Sequence, residues 1–187
     1  MHSHAIAWGS GSGQQSVTTT GVTGDRNSLW VVKEASNAPI CEAGKPIDCG
    51  SSIRLEHATT GKNLHSHLFR AALSGNQEVS GFGDGGNGDT GDNWKIVCET
   101  SGGTYWERSK PISIVHADTG KYLTSATTFK FTHQNCGGQC PILDQTEVSC
   151  GARSDSRTKW QTGQGVYFPV KSSGGKGEAD QSDDEDL

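Results

Sequence analysis

Residues 50–64 read GSSIRLEHATTGKNL, and residues 109–123 read SKPISIVHADTGKYL. At an offset of 59, Ile53 corresponds to Ile112, Leu55 to Ile114, His57 to His116, Ala58 to Ala117, Gly61 to Gly120, Lys62 to Lys121 and Leu64 to Leu123. So many matches in one register make an internal repeat, the feature to look for before any other. Ile53, Leu55 and His57 alternate with polar residues, which is the period of a half-buried strand. Thr-Gly-Lys then reads as a hairpin turn, with Gly supplying positive φ. A second strand, NLHSH or YLTSA, leads into a Gly/Ser/Asn loop. A third strand follows at QSVTT, QEVSG or TEVSC, and a last one carries Trp30, Trp94 or Trp160.

The same pattern reaches the first residues. His65-Ser66-His67 repeats His2-Ser3-His4, and Gln77-Glu78-Val79-Ser80 repeats Gln15-Ser16-Val17-Thr18. The opening His-Ser-His is therefore native sequence, not a purification tag. The tryptophans are 64 and 66 residues apart, and Val17, Val79 and Val148 are 62 and 69 apart. Anchors persist while spacings drift, as happens when strands are kept and loops vary. The expectation is three units of about sixty residues and about four strands each, all-β, with no useful helical periodicity. Three such units favour a β-trefoil over a propeller, which has four blades or more. Closing the sheet removes its edges. The first unit lacks the strand that matches SSIRLEHA, so a gap in the barrel, or a substitute segment covering it, is expected there. The expected boundaries are 1–170 for the trefoil, with copies at about 1–35, 44–99 and 103–165, and 171–187 for a disordered tail.

Composition agrees with a loop-rich chain of modest core. Apolar residues are 31% of 187, glycines number 26, and no window approaches a membrane span. The net charge is −5, but the last seventeen residues hold six acids against two lysines. The near-neutral remainder offers no basic face for phosphates, which argues against nucleic acid. The tail is Gly/Ser-rich, acidic and without aromatics, the composition of disorder.

Cysteines stand at 41, 49, 98, 136, 140 and 150. CEAGKPIDC, with Gly and Pro to turn it, reads as a loop closed by a Cys41–Cys49 disulfide. Zinc would need four ligands at better spacing, so an oxidising compartment is favoured. Cys98 lies beside the expected gap, where its partner would be missing. The pairings of Cys98, Cys136, Cys140 and Cys150 stay open. No signal peptide is visible, and a chain that begins inside a repeat says nothing against one.

The runs GSGSGQQSVTTTGV, TGKNLHSH and NQEVS resemble the MIR repeats of the stromal cell-derived factor 2-like family of the endoplasmic reticulum. The resemblance covers roughly residues 2–170, with the first repeat incomplete. It implies a trefoil of three MIR repeats and a lumenal protein with no enzymatic activity and no cofactor. The implied partners are a J-domain co-chaperone, the lumenal ATP-driven chaperone, and unfolded or misfolded clients. Links to the unfolded protein response and to quality control come with it. Two departures stand out. YLTSA replaces HSH in the third copy, and Cys136, Cys140 and Cys150 occupy an enlarged loop. The terminal Asp184-Glu185-Asp186-Leu187 resembles a retrieval signal with Glu and Asp exchanged, so both retention in the lumen and secretion are open.

The candidate binding residues are His2, His4, His65, His67, Gln15, Gln77 and Glu78. His65 and His67, two apart on a strand, point to one face. They are read as hydrogen-bonding groups that hold loop and hairpin, ahead of a metal site. Trp30, Trp94 and Trp160 lack the Gln-x-Trp pattern of sugar-stacking trefoil lectins and read as packing residues. GFGDGGNGDTGDN at 81–93, with Asp84, Asp89 and Asp92, lacks the calcium spacing and reads as a flexible surface loop. No nucleophile elbow, phosphate loop or CxxC is present. The alternative reading is a lectin for mannosylated proteins; a hydrolase or transferase is the third.

Overall fold

In the computed structural model, residues 1–42, 44–99, 103–163 and 165 are described. The acidic tail, with Asp184–Leu187, lies outside them. The strands are β1 (His2–Ala7), β2 (Gln15–Thr19), β3 (Trp30–Glu34), β4 (Ser52–His57), β5 (Asn63–Arg70), β6 (Gln77–Phe82), β7 (Trp94–Cys98), β8 (Ile112–His116), β9 (Tyr122–Lys130) and β10 (Thr146–Gly151). One four-residue helix, α1 (His133–Cys136), and three 3-10 turns complete the described elements. The chain is all-β, as its period-2 patterning requires.

All strands belong to one sheet, with the path β1-β2-β10-β6-β5-β4-β7-β8-β9 and β3 beside β4. β9 also pairs back to β10, so the path closes on itself like a barrel. β2, β6 and β10 pair with one another in all three combinations. These strands carry Val17, Val79 and Val148, each fully buried in one core cluster with Leu64, Trp94, Ile96, Ile112 and Leu123. β4 shows why the pattern was readable: Ile53, Leu55 and His57 are buried, and Arg54 and Glu56 between them are not. The turns after β4 and β8 close alike, with the N–H of His57 on the Lys62 carbonyl at 2.7 Å and that of His116 on Lys121 at 2.8 Å. Gly61 and Gly120 take φ of 67° and 65° there, a region that costs other residues strain.

Trp30, Trp94 and Trp160 pack on this core. Each indole N–H donates to a carbonyl 29 to 37 residues earlier in the chain: Met1 at 3.2 Å, Leu64 at 2.8 Å and Leu123 at 2.9 Å. Trp8 builds a second small core with Phe131 and Ile142. Where residues 52–98 hold four strands, residues 2–34 hold three. Among the described residues β3 pairs with β4 only.

The expected Cys41–Cys49 disulfide does not form. Cys49 bonds to Cys98, and Cys41 is an exposed thiol. The reason is register. Ser52 pairs with Lys95, and carrying that antiparallel register back along the chain sets Cys49 opposite Cys98. The N–H of Gly50 on the Ile96 carbonyl, at 2.7 Å, holds it there. Cys98 has thus lost no partner. Cys136 and Cys140 form a second bridge at the edge of the Trp8 core. Burial pushes the remaining thiol, Cys150, up to about 12, which leaves it inert.

A disulfide across a 49-residue separation stabilises by about 4 kcal/mol through loss of unfolded-chain entropy. Cys98→Ser should lower unfolding free energy by about 2–4 kcal/mol, and Cys41→Ser by less than about 0.5, in urea titrations. Peptide mapping without reductant should find Cys49 joined to Cys98 and Cys41 alkylated. Cys41 joined to Cys49 would contradict the register.

Candidate functional site

The 3-10 turns that precede the tryptophans are built alike. Asp25, Asp89 and Asp155 are their N-caps, each accepting from the N–H two residues on, at 3.0, 2.9 and 2.8 Å. Short polar side chains favour such caps because they satisfy otherwise unpaired N–H groups. In the second turn Asp92 closes a capping box with Asp89. Asp92 is fully buried and accepts from Asn63 Nδ2 and His65 Nδ1, both at 2.9 Å. Loop 81–93 is therefore tied into the fold at its end and is not a free surface loop. His65, Asp89 and Asp92 bring three ligand-type atoms within 4.8 Å of one another. Their facing oxygens already serve the cap and the His65 ring.

Each turn's middle carbonyl then receives a side chain, in the first two turns from the segment that follows. His57 Nε2 donates to the Asn27 carbonyl at 2.9 Å, and His116 Nε2 to that of Gly91 at 3.0 Å. In the third turn the Thr124 hydroxyl donates to Arg157 instead, at 3.3 Å. With Nε2 donating, Nδ1 of each histidine accepts, from Thr60 and Thr119 respectively, both at 2.9 Å. Those hydroxyls in turn accept from Gln15 Nε2 at 2.9 Å and Gln77 Nε2 at 3.1 Å. Gln-to-Thr-to-His-to-carbonyl relays thus clamp residues 2–34 to β4 and residues 52–98 to β8.

Glu78 and Glu147 make a parallel pair of clamps. The buried Glu147 carboxylate accepts from the N–H groups of Leu73 at 2.6 Å and Ser74 at 3.2 Å, and from the Ser74 hydroxyl. Glu78 accepts from the Ser12 N–H at 3.3 Å, from the Ser12 hydroxyl, and from His67 Nε2 at 3.0 Å. His2 is held by Asp25 at 2.5 Å and meets His4 at 3.0 Å. The structure therefore places His2, His65, Gln15, Gln77 and Glu78 inside the frame, buried, with His4 and His67 at its half-buried margin.

The open space lies beside that frame. A cleft of about 290 Å³ is lined by Asn76, Thr124, Phe129, Ser149, Arg153 and Arg157. A second, of about 440 Å³, is lined by Gln14, Gln15, Lys62, Gly81, Phe82 and Asp84. Of these residues, sequence reasoning named Gln15 as a binding candidate and weighed Asp84 only as a calcium ligand. The readable signal was a mismatch: in register with Val79 and Val148, Arg153 stands where Asp84 stands.

These features define a MIR-domain protein, and the comparisons agree. The MIR domain family matches residues 1–102. The stromal cell-derived factor 2-like protein of Dictyostelium discoideum is 43% identical over 174 residues, which is 91% of this chain and 77% of that one. Stromal cell-derived factor 2 of Homo sapiens is 42% identical over 90% of this chain and 74% of its own length. Among solved structures, the SDF2-like protein from Arabidopsis thaliana superposes with a TM-score of 0.82 at 40% identity, over 91% of this chain and 89% of that one. The O-mannosyltransferase complex Pmt1-Pmt2 of S. cerevisiae, bound to its sugar donor, matches with a TM-score of 0.71 at 26% identity, over 86% of this chain and 22% of that one. The chain belongs to the stromal cell-derived factor 2 family of MIR-domain proteins. No helix among the described residues is long and apolar enough to cross a membrane.

Burial holds His57 and His116 below their ordinary value of 6.5, and both are satisfied as neutral rings. Their contribution is present above that value and is lost as pH falls through their folded pKa, because the unfolded chain then binds more protons. Melting temperature should fall as pH drops below about 6.5, with a smaller fall in His116→Gln. Glu147→Ala should cost about 2–4 kcal/mol in urea titrations, since it leaves two loop N–H groups without an acceptor. A loss under about 0.5 kcal/mol would show the clamp to be idle.

Proposed function

We propose that this protein is a β-trefoil of three MIR repeats that serves, without enzymatic activity of its own, as a chaperone-complex subunit of the endoplasmic reticulum lumen. It binds unfolded or misfolded chains together with a J-domain co-chaperone and the lumenal ATP-driven chaperone. The observation that carries this reading is about 40% identity to stromal cell-derived factor 2 proteins over nine-tenths of the chain. The mutual pairing of β2, β6 and β10, and relays that recur from segment to segment, support the trefoil. Two disulfides suit an oxidising compartment. Leu68 and Phe69, exposed at the end of β5, and Val22 and Ile40 elsewhere, offer scattered apolar contacts. Weak contacts of this kind gain strength when several engage one extended client.

A lectin for mannosylated chains is the second reading. It is favoured by the similarity to part of a protein O-mannosyltransferase and by clefts lined with hydroxyl and amide side chains.

The test is a pull-down from gently crosslinked cells, with an internal tag that leaves Asp184–Leu187 free. A lumenal J-domain protein and its ATP-driven chaperone should be recovered together and resist elution by free sugar. Recovery of mannosylated glycoproteins that free mannose releases would replace the chaperone reading with the lectin.

A further inference from the structure

The cleft beside Arg153 exists because two rings are missing. At the corresponding place in residues 52–98, the rings of His65 and Phe82 stack with centroids 4.6 Å apart and fill the space between β5 and β6. Their counterparts between β9 and β10 are Thr124 and Gly151. A Cβ built on Gly151 would meet only the Thr124 methyl, at 3.4 Å, so the site tolerates a side chain that it does not have. The result is the cleft of about 290 Å³, a volume suited to a single small molecule.

The charge of the place is inverted as well. Asp84, Asp89 and Gly91 on one side correspond to Arg153, Asp155 and Arg157 on the other. Arg157 is neutralised by Asp155, its Nε donating to both carboxylate oxygens at 3.1 Å and its Nη2 to one of them. Arg153 lines the cleft with no ion-pair partner among the described residues. Around it stand neutral groups: the Asn76 amide, which donates to the Ser149 hydroxyl at 3.2 Å, and the Thr124 hydroxyl. Phe129 supplies one apolar wall. A single uncompensated guanidinium presents a planar fork matched to a carboxylate. The carboxylate of Asp155 close by disfavours a dianion.

We propose that this cleft binds a small polyhydroxylated ligand bearing one carboxylate, a hexuronate-type sugar acid. Arg153 takes the carboxylate, Asn76, Ser149 and Thr124 take hydroxyl groups, and Phe129 packs against the apolar face of the ring. The site differs in place and charge from the second cleft, and it stands whether or not the chaperone reading holds.

The test is a titration of the isotope-labelled full chain with glucuronate, glucose and glucose 6-phosphate, read as backbone amide shifts at Asn76, Ser149 and Gly151. Glucuronate should give saturable shifts, with glucose about tenfold weaker. Arg153→Gln, a change at an exposed position, should weaken glucuronate by about tenfold and leave glucose unchanged. Gly151→Phe should restore the ring of the other segment and abolish both. Equal affinity for glucuronate and glucose, or an unaffected Arg153→Gln variant, overturns the assignment of Arg153. Tighter binding of glucose 6-phosphate overturns the carboxylate class, and the absence of saturable shifts overturns the site.

Discussion

Three strands from distant parts of the chain, β2, β6 and β10, pair with one another, and everything else is arranged around that junction. Val17, Val79 and Val148 each lose all solvent exposure there. Truncating such a residue removes buried apolar area and leaves a cavity, at a cost of order 1–3 kcal/mol. Because each strand serves two neighbours, its backbone groups are used on both edges. The hairpins that flank it are then held at fixed distances from the axis. That constraint brings the first two 3-10 turns against a histidine of the following segment, and the third against Thr124 of β9.

The polar interior follows from the same geometry. Strands that meet at a junction bury side chains whose backbone positions are set by the fold, so polar groups placed there need partners of fixed length. Gln15 and Gln77, Thr60 and Thr119, and His57 and His116 supply them in two equivalent relays. Glu78 and Glu147 do the same for the Ser-Gly loops of the preceding segments. A buried network that is satisfied in this way specifies one arrangement, because a shifted register would leave its members unpaired. The motif residues that look like ligands in the sequence are therefore spent on the frame. The room for a ligand lies where the repetition fails.

The clefts illustrate how repetition creates sites. Equivalent positions on two sides of the sheet carry His65 and Phe82 in one place and Thr124 and Gly151 in the other. One pair packs ring on ring and the other leaves a cavity. The caps of the 3-10 turns are kept, at Asp25, Asp89 and Asp155, but the surface between hairpins changes.

The strands, their turns and their core positions were legible in the sequence, because period-2 alternation and turn glycines are local properties. Ile53, Leu55 and His57 announce a buried face through their neighbours alone. The packing role of Trp30, Trp94 and Trp160 was legible too, from their place in apolar strands. The tertiary structure decided what depends on which strands become neighbours. Cys49 sits eight residues from Cys41, yet the β4–β7 register delivers it to Cys98. Asp92 looks like one acid in a glycine-rich loop, and only the approach of β5 buries it under Asn63 and His65. Asn76, Thr124, Ser149 and Arg153 form one cleft from three stretches of chain that nothing local connects. Local chemistry sets the conformation of each segment, while the contacts between segments depend on a closure that no single segment encodes.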